Sequence, residues 1–122
     1  FEDRPIGTLS AGQFQRALFA RVMLQDAPVI LLDEPFNAID ARTTRDLMAL
    51  VERWHGEGRT IVTVLHDIEL VRAHFPNCVM VARECLGWGP TAEVATPSNL
   101  MRARRMSEAW DDEAERCLRR IA

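Results

Sequence analysis

Two apolar runs, each cut off by a reactive side chain, constrain this chain more than anything else in it. Val29-Ile30-Leu31-Leu32 has no polar interruption and stops at Asp33-Glu34-Pro35, and the run from Thr60 to Leu65 stops at His66. A short, uninterrupted apolar run of this kind predicts a strand of a parallel sheet covered on both faces. Neither run is long enough to cross a bilayer. The segments around the runs have helical spacing, and a third strand is expected over Cys78 to Ala82. Strand–helix–strand–helix–strand predicts an α/β fold with a mostly parallel sheet.

The helix boundaries can be read from local chemistry. Ser10 followed by Gln13 is a capping box, and Leu9 with Phe14 is a hydrophobic staple, so a helix should run from Ser10 to about Gln25 before Ala27-Pro28. Asp40 caps a second helix whose apolar face carries Leu47, Leu50, Val51 and Trp54, and Gly56 and Gly58 close it. Asp67 caps a short helix that Pro76 stops. After Gly87-Trp88-Gly89-Pro90 the pattern turns helical, with Thr96 as cap and Pro97 in the first turn. Arg102 to Ala122 mixes six Arg with five acids and reads as a solvated helix or a loosely held tail. The chain is therefore expected to divide into 1–95 and a helical tail over 96–122. It opens on Phe1 without a start methionine, as a piece of something longer would.

Composition excludes some partners. A net charge of -3 argues against a nucleic-acid surface, which needs a clustered basic excess. The three cysteines, Cys78, Cys85 and Cys117, are odd in number and irregularly spaced, which fits reduced thiols rather than a disulfide framework. His74 with Cys78 lacks the companions of a metal site and reads as packing. All fifteen basic side chains are Arg; there is no Lys.

In open α/β sheets ligands bind beyond the carboxyl ends of the strands. Asp33 and Glu34 stand at one such end and His66 at another. An acid pair there suits Asp33 to hold Mg²⁺ through a bound water, since Mg²⁺ keeps much of its hydration. Glu34 is then placed to orient, or take a proton from, an attacking water beside a phosphate. His66 can contact the same water or the transferring phosphoryl group. Each signal alone has a plain alternative: solvated acids at a strand stop, a core or capping histidine, a capping box.

Their order resembles that of ATP-binding cassette (ABC) ATPases, which have a P-loop NTPase-like nucleotide-binding domain. Leu9-Ser10-Ala11-Gly12-Gln13 is similar to the signature Leu-Ser-Gly-Gly-Gln, continued by Gln15-Arg16. Val29 to Pro35 resembles the Walker B strand with its adjacent catalytic glutamate, Asn37-Ala38-Ile39-Asp40 the D-loop, and His66 the switch histidine. The resemblance runs from about Phe1 to Ala95. It implies a head-to-tail dimer in which Ser10, Ala11, Gly12 and Gln13 contact ATP held by a second ATPase subunit, with Asp40 aligning the two. A helix N-terminus suits such a contact, because its free N–H groups and partial positive charge favour phosphate. The resemblance also implies ATP and Mg²⁺ as cofactors and a membrane permease as partner, with an extracytoplasmic solute-binding protein acting indirectly. The site of action would be the cytoplasmic face of the bacterial plasma membrane.

Two departures stand out. Ala11 replaces the first signature glycine, adding a methyl group but leaving the backbone N–H free. The phosphate loop, Gly-x-x-x-x-Gly-Lys-Ser/Thr, cannot lie in a chain without Lys. Truncation is the simplest expectation, and this polypeptide alone should bind ATP poorly and hydrolyse none. Asp33-Glu34-Pro35-Phe36-Asn37-Ala38-Ile39-Asp40 with Leu65-His66-Asp67 most resembles the ATPase subunits of zinc and manganese importers, which sets the expected cargo. Alternative readings are an orphan dimerisation module, or an ABC ATPase of DNA maintenance or translation. The chain lacks the sustained heptads expected of chromosome-structure members.

Overall fold

The computed structural model describes residues 5–107. Cys117 and most of the expected tail lie outside the described residues. The chain divides into two compact units, Phe1–His66 and Asp67–Ala122. The division falls inside the stretch that the sequence pattern groups as 1–95.

In the first unit a 3-10 turn over Ile6–Thr8 leads to helix α1, Ala11–Gln25. Both arms of the capping box form: Gln13 N–H donates to Ser10 Oγ at 3.2 Å, and Ser10 N–H donates to Gln13 Oε1 at 3.0 Å. Asp26 ends the helix in a left-handed conformation, with φ 46°. Strands β1 (Val29–Asp33) and β2 (Thr60–Val64) pair in parallel, with Val29 opposite Thr60 and Asp33 opposite Val64. Helix α2, Ala41–Gly56, connects them and packs against β2.

The core of this unit is an aromatic stack fitted between helices. Phe19 of α1 lies nearly parallel to Trp54 of α2, with ring centroids 5.7 Å apart, and Phe36 tilts against Phe19 at 6.4 Å. Ile30, Leu32, Leu47, Met48 and Val51 are buried with Phe19 and Trp54. The expected stripe on α2 is present, with Thr43 and Met48 added to it and Leu50 only half-buried. Arg59, largely buried, reaches Asp26 at 2.8 Å and Glu57 at 3.5 Å, joining the C-terminal ends of α1 and α2.

The strands differ from expectation in one respect. Ile30 and Leu32 are buried, but Val29 and Leu31 are 53% and 73% exposed, and Val62 and Val64 are each 51% exposed. Among the described residues the sheet is therefore covered on one face only. An apolar run records that both faces favour burial; it does not record what reaches them.

In the second unit, helix α3 (Ile68–His74) is capped by Asp67, whose Oδ1 accepts from the N–H groups of Glu69 and Leu70 at 2.9 and 3.2 Å. The third strand, β3 (Asn77–Ala82), forms as expected, but it pairs antiparallel with β4 (Glu84–Pro90). The sequence pattern does not announce β4 or the hairpin. Arg83, at φ 54°, makes the turn, where a hairpin usually shows glycine or asparagine. Helix α4 (Thr91–Val94) follows, and 97–107 form helix α5, capped by Thr96 Oγ1 accepting from Asn99 N–H at 3.3 Å. Cys78 and Cys85 are free thiols. No helix among the described residues is long and apolar enough to cross a membrane.

Candidate active site

The parallel register brings the acid and the histidine together. Asp33 is level with Val64, and Glu34 N–H extends the ladder by one bond to the Val64 carbonyl at 3.1 Å. Two residues beyond Val64, His66 Nε2 lies 2.7 Å from Glu34 Oε1. A carboxylate oxygen accepts, so Nε2–H is the donor in this pair. Asn37 Nδ2–H donates to the other oxygen, Oε2, at 2.9 Å. Both oxygens are thus engaged, and each keeps a second lone pair.

The loop holding these groups is tightly turned. Glu34 and Ala38 have φ of 44° and 56°, values that L-residues with side chains seldom adopt. Asn37 N–H closes the turn onto the Glu34 carbonyl at 3.1 Å, and Pro35 is buried beneath it. Asp33 is exposed, and its carboxylate takes no hydrogen bond from the described residues. No group of three metal-ligating side chains forms among the described residues. Asp33 is therefore free to offer one oxygen to a hard cation whose other ligands come from water and phosphate.

A second group assembles at the N-termini of α1 and α2. A Cβ on Gly12 would lie 3.3 Å from Thr43 Oγ1 and 3.7 Å from Asp40 Oδ2, so glycine permits the close approach of the two helix starts. Arg16 reinforces the contact through Asp46 at 3.0 Å and the Thr43 hydroxyl at 3.4 Å. No hydrogen bond among the described residues joins the Ser10–Gln13 turn to Glu34 or His66. Thr43 is an addition to the residues named from the sequence, while Arg16 and Asn37 stood there only as members of motifs, without a contact assigned to them. Besides its place in the D-loop resemblance, Asn37 is marked in the sequence as an Asx residue in a short loop, three positions after the acid.

Asp40 caps α2 with Oδ1, accepting from Arg42 and Thr43 N–H at 3.0 and 2.9 Å, while its Oδ2 accepts from the Thr43 hydroxyl at 2.8 Å. The Thr43 backbone N–H, and then its hydroxyl, hold the carboxyl below its ordinary value of 3.8. A depressed carboxyl stabilises the fold above its unfolded value, and that stabilisation is lost as pH falls through the folded one. Asp40→Asn keeps the cap without the charge. It is expected to weaken the dependence of melting temperature on pH below about 3.8, and an unchanged acid profile would contradict the assignment.

An open cavity in the second unit contains none of these groups. Arg83, Ser98, Met101, Arg102, Arg105 and Met106 line it.

Comparison with known proteins bears on the family and the fold. The family model described as ABC transporter matches residues 1–37. The chain is 37% identical over 97 residues to the manganese transport system ATP-binding protein MntB of Halalkalibacterium halodurans, covering 80% of this chain and 39% of the relative. It is 34% identical over 103 residues to the zinc transport system ATP-binding protein TroB of Treponema pallidum, covering 84% of this chain and 39% of the relative. Among solved structures, the inward-facing conformation of a metal-chelate type ABC transporter aligns with a TM-score of 0.76 at 27% identity, covering 84% of this chain and 41% of that one. A dimeric ATP-binding cassette in a post-hydrolysis state, bound to ADP and Pi, aligns with a TM-score of 0.63 at 31% identity, covering 70% of this chain and 37% of that one. The chain thus spans about two-fifths of the length of the relatives it matches (39% for both transport proteins). With the motifs in order, the α/β fold shared with solved cassettes, and relatives matched over most of its length, the chain belongs to the family of ABC transporter ATP-binding proteins.

Proposed function

We propose that this chain forms the signature-bearing part of an ABC-type ATPase that powers import of a metal ion, zinc or manganese. The observation that carries the reading is the Glu34 carboxylate at the end of β1, held between His66 at 2.7 Å and Asn37 at 2.9 Å. The cargo rests on the relatives, which include a manganese and a zinc transport protein.

In this reading MgATP, when bound, supplies the phosphoryl group and the metal charge that neutralises it. Glu34 uses a free lone pair to orient the attacking water and accept its proton. His66 holds Glu34 Oε1 and is free to turn toward the phosphoryl group, since its side chain is 80% exposed. Asp33 offers an outer ligand to Mg²⁺. The chain has no Lys, so the phosphate loop is supplied from outside these 122 residues. Ser10, Ala11, Gly12 and Gln13 present the N-terminus of α1 to ATP bound by a second ATPase subunit. Asp40, fixed at the start of α2 beside Gly12, aligns that interface.

The partners are this second subunit in a head-to-tail dimer and a membrane permease, with a solute-binding protein acting through the permease. Nucleic acid is not a partner. The assembly works at the cytoplasmic face of the bacterial plasma membrane. Residues 1–95 belong to the ATPase domain, and 96–122 are its C-terminal tail, of which 97–107 form α5.

Ser10→Asp tests the proposal in the full-length gene product. Asp caps a helix about as well as Ser, so the melting temperature should hold. Its charge, however, would face the incoming phosphate. Steady-state ATPase activity is expected to fall by about tenfold or more, the equivalent of at least ~1.4 kcal/mol. Wild-type turnover in the folded variant would remove α1 from the nucleotide site.

A further inference from the structure

We infer that Asn37 is the positioning residue for Glu34, an inference that rests on the catalytic reading just given. Glutamate has three side-chain torsions, and with its side chain 39% exposed Glu34 is only partly held by packing. The hydrogen bonds to its two oxygens complete its orientation. The two partners are not equivalent. His66 is 80% exposed and reaches Glu34 from the end of the neighbouring strand β2, so it can swing away. Asn37 is fixed at its backbone, because its own N–H donates to the Glu34 carbonyl at 3.1 Å while its side-chain amide donates to Oε2 at 2.9 Å.

One residue thereby closes the turn and aims the carboxylate within it. The left-handed backbone at Glu34 turns the chain, and the turn closed by Asn37 N–H brings the amide back over the acid three residues along. Asn37 keeps Oε2 occupied whether or not His66 is engaged, leaving Oε1 and the free lone pairs for the histidine and the attacking water. A glutamate without this tether would sample other rotamers, and misplacement of a reacting group by about 1 Å can cost on the order of 100-fold.

The test compares Asn37→Ala and Asn37→Asp in the full-length gene product, measuring kcat and KM for MgATP beside Glu34→Gln. Asn37→Ala removes the donor, and kcat should drop about tenfold with KM within about twofold. Asn37→Asp keeps the size and turn preference of asparagine but sets a second carboxylate against Glu34, so its kcat should fall further than that of Asn37→Ala. A role in loop shape alone gives the reverse order, because Asp suits the turn better than Ala. That reverse order, equal losses, or wild-type kcat in both variants would overturn the inference while leaving the catalytic reading intact if Glu34→Gln is inactive. Wild-type activity in Glu34→Gln would overturn both.

Discussion

Glu34→Gln in the full-length gene product is expected to lower ATP turnover by about 100-fold or more, with nucleotide binding retained. The amide keeps the length and shape of the side chain, and its carbonyl oxygen can still accept one hydrogen bond. It cannot take a proton from water near neutral pH. Removal of an acid–base group acts on the chemical step, so the loss should appear in kcat rather than in nucleotide affinity. ATP bound without turnover should also hold the two subunits together, and size-exclusion chromatography with MgATP should show a lasting dimer. Turnover at the wild-type rate would mean that the acid at the end of β1 is not the base.

The second large effect concerns folding. Trp54→Ala is expected to cost about 3–5 kcal/mol, the range for truncating a large buried aromatic side chain. Trp54 is 2% exposed and stacks on Phe19, which in turn meets Phe36 in the loop that follows β1. Typical domains have only about 5–15 kcal/mol in hand, so this single truncation uses a large part of it. Trp54→Phe retains a stacking partner for Phe19 and should cost distinctly less. Urea denaturation followed by circular dichroism measures both. A loss below about 1 kcal/mol for Trp54→Ala would show that the stack is not a packing centre.

The pattern of what could be read in advance follows from the range of the forces involved. Ser10 with Gln13, Asp40, Asp67 and Thr96 each satisfy backbone N–H groups two or three residues away, so the cap and the helix start are written in the same short segment. The strand ends were legible too, because Asp33-Glu34-Pro35 interrupts an apolar run abruptly. Burial was not, since Val29 and Leu31 are as apolar as Ile30 and Leu32 yet stand on the open face. The β3–β4 hairpin was hidden because Arg83 occupies the left-handed position where glycine or asparagine would have marked a turn. The acid–histidine pair could be anticipated from the two strand ends and from the resemblance. Its geometry depends on the β1–β2 register, a contact across 32 residues that no local pattern records.

The backbone at position 34 carries a last implication. A glutamate at φ 44° sits in a conformation that costs an L-residue about 1–2 kcal/mol and costs glycine almost nothing. The hydrogen bonds its carboxylate makes to His66 and Asn37 are exposed ones of small net worth. Glycine at 34 should therefore be tolerated, or even favoured, by folding while deleting the acid outright. A library of variants sorted for heat resistance alone would admit glycine there, and one sorted for nucleotide turnover would purge it. The disagreement between the two sorts at this single codon would measure how much of the loop serves the reaction rather than the fold.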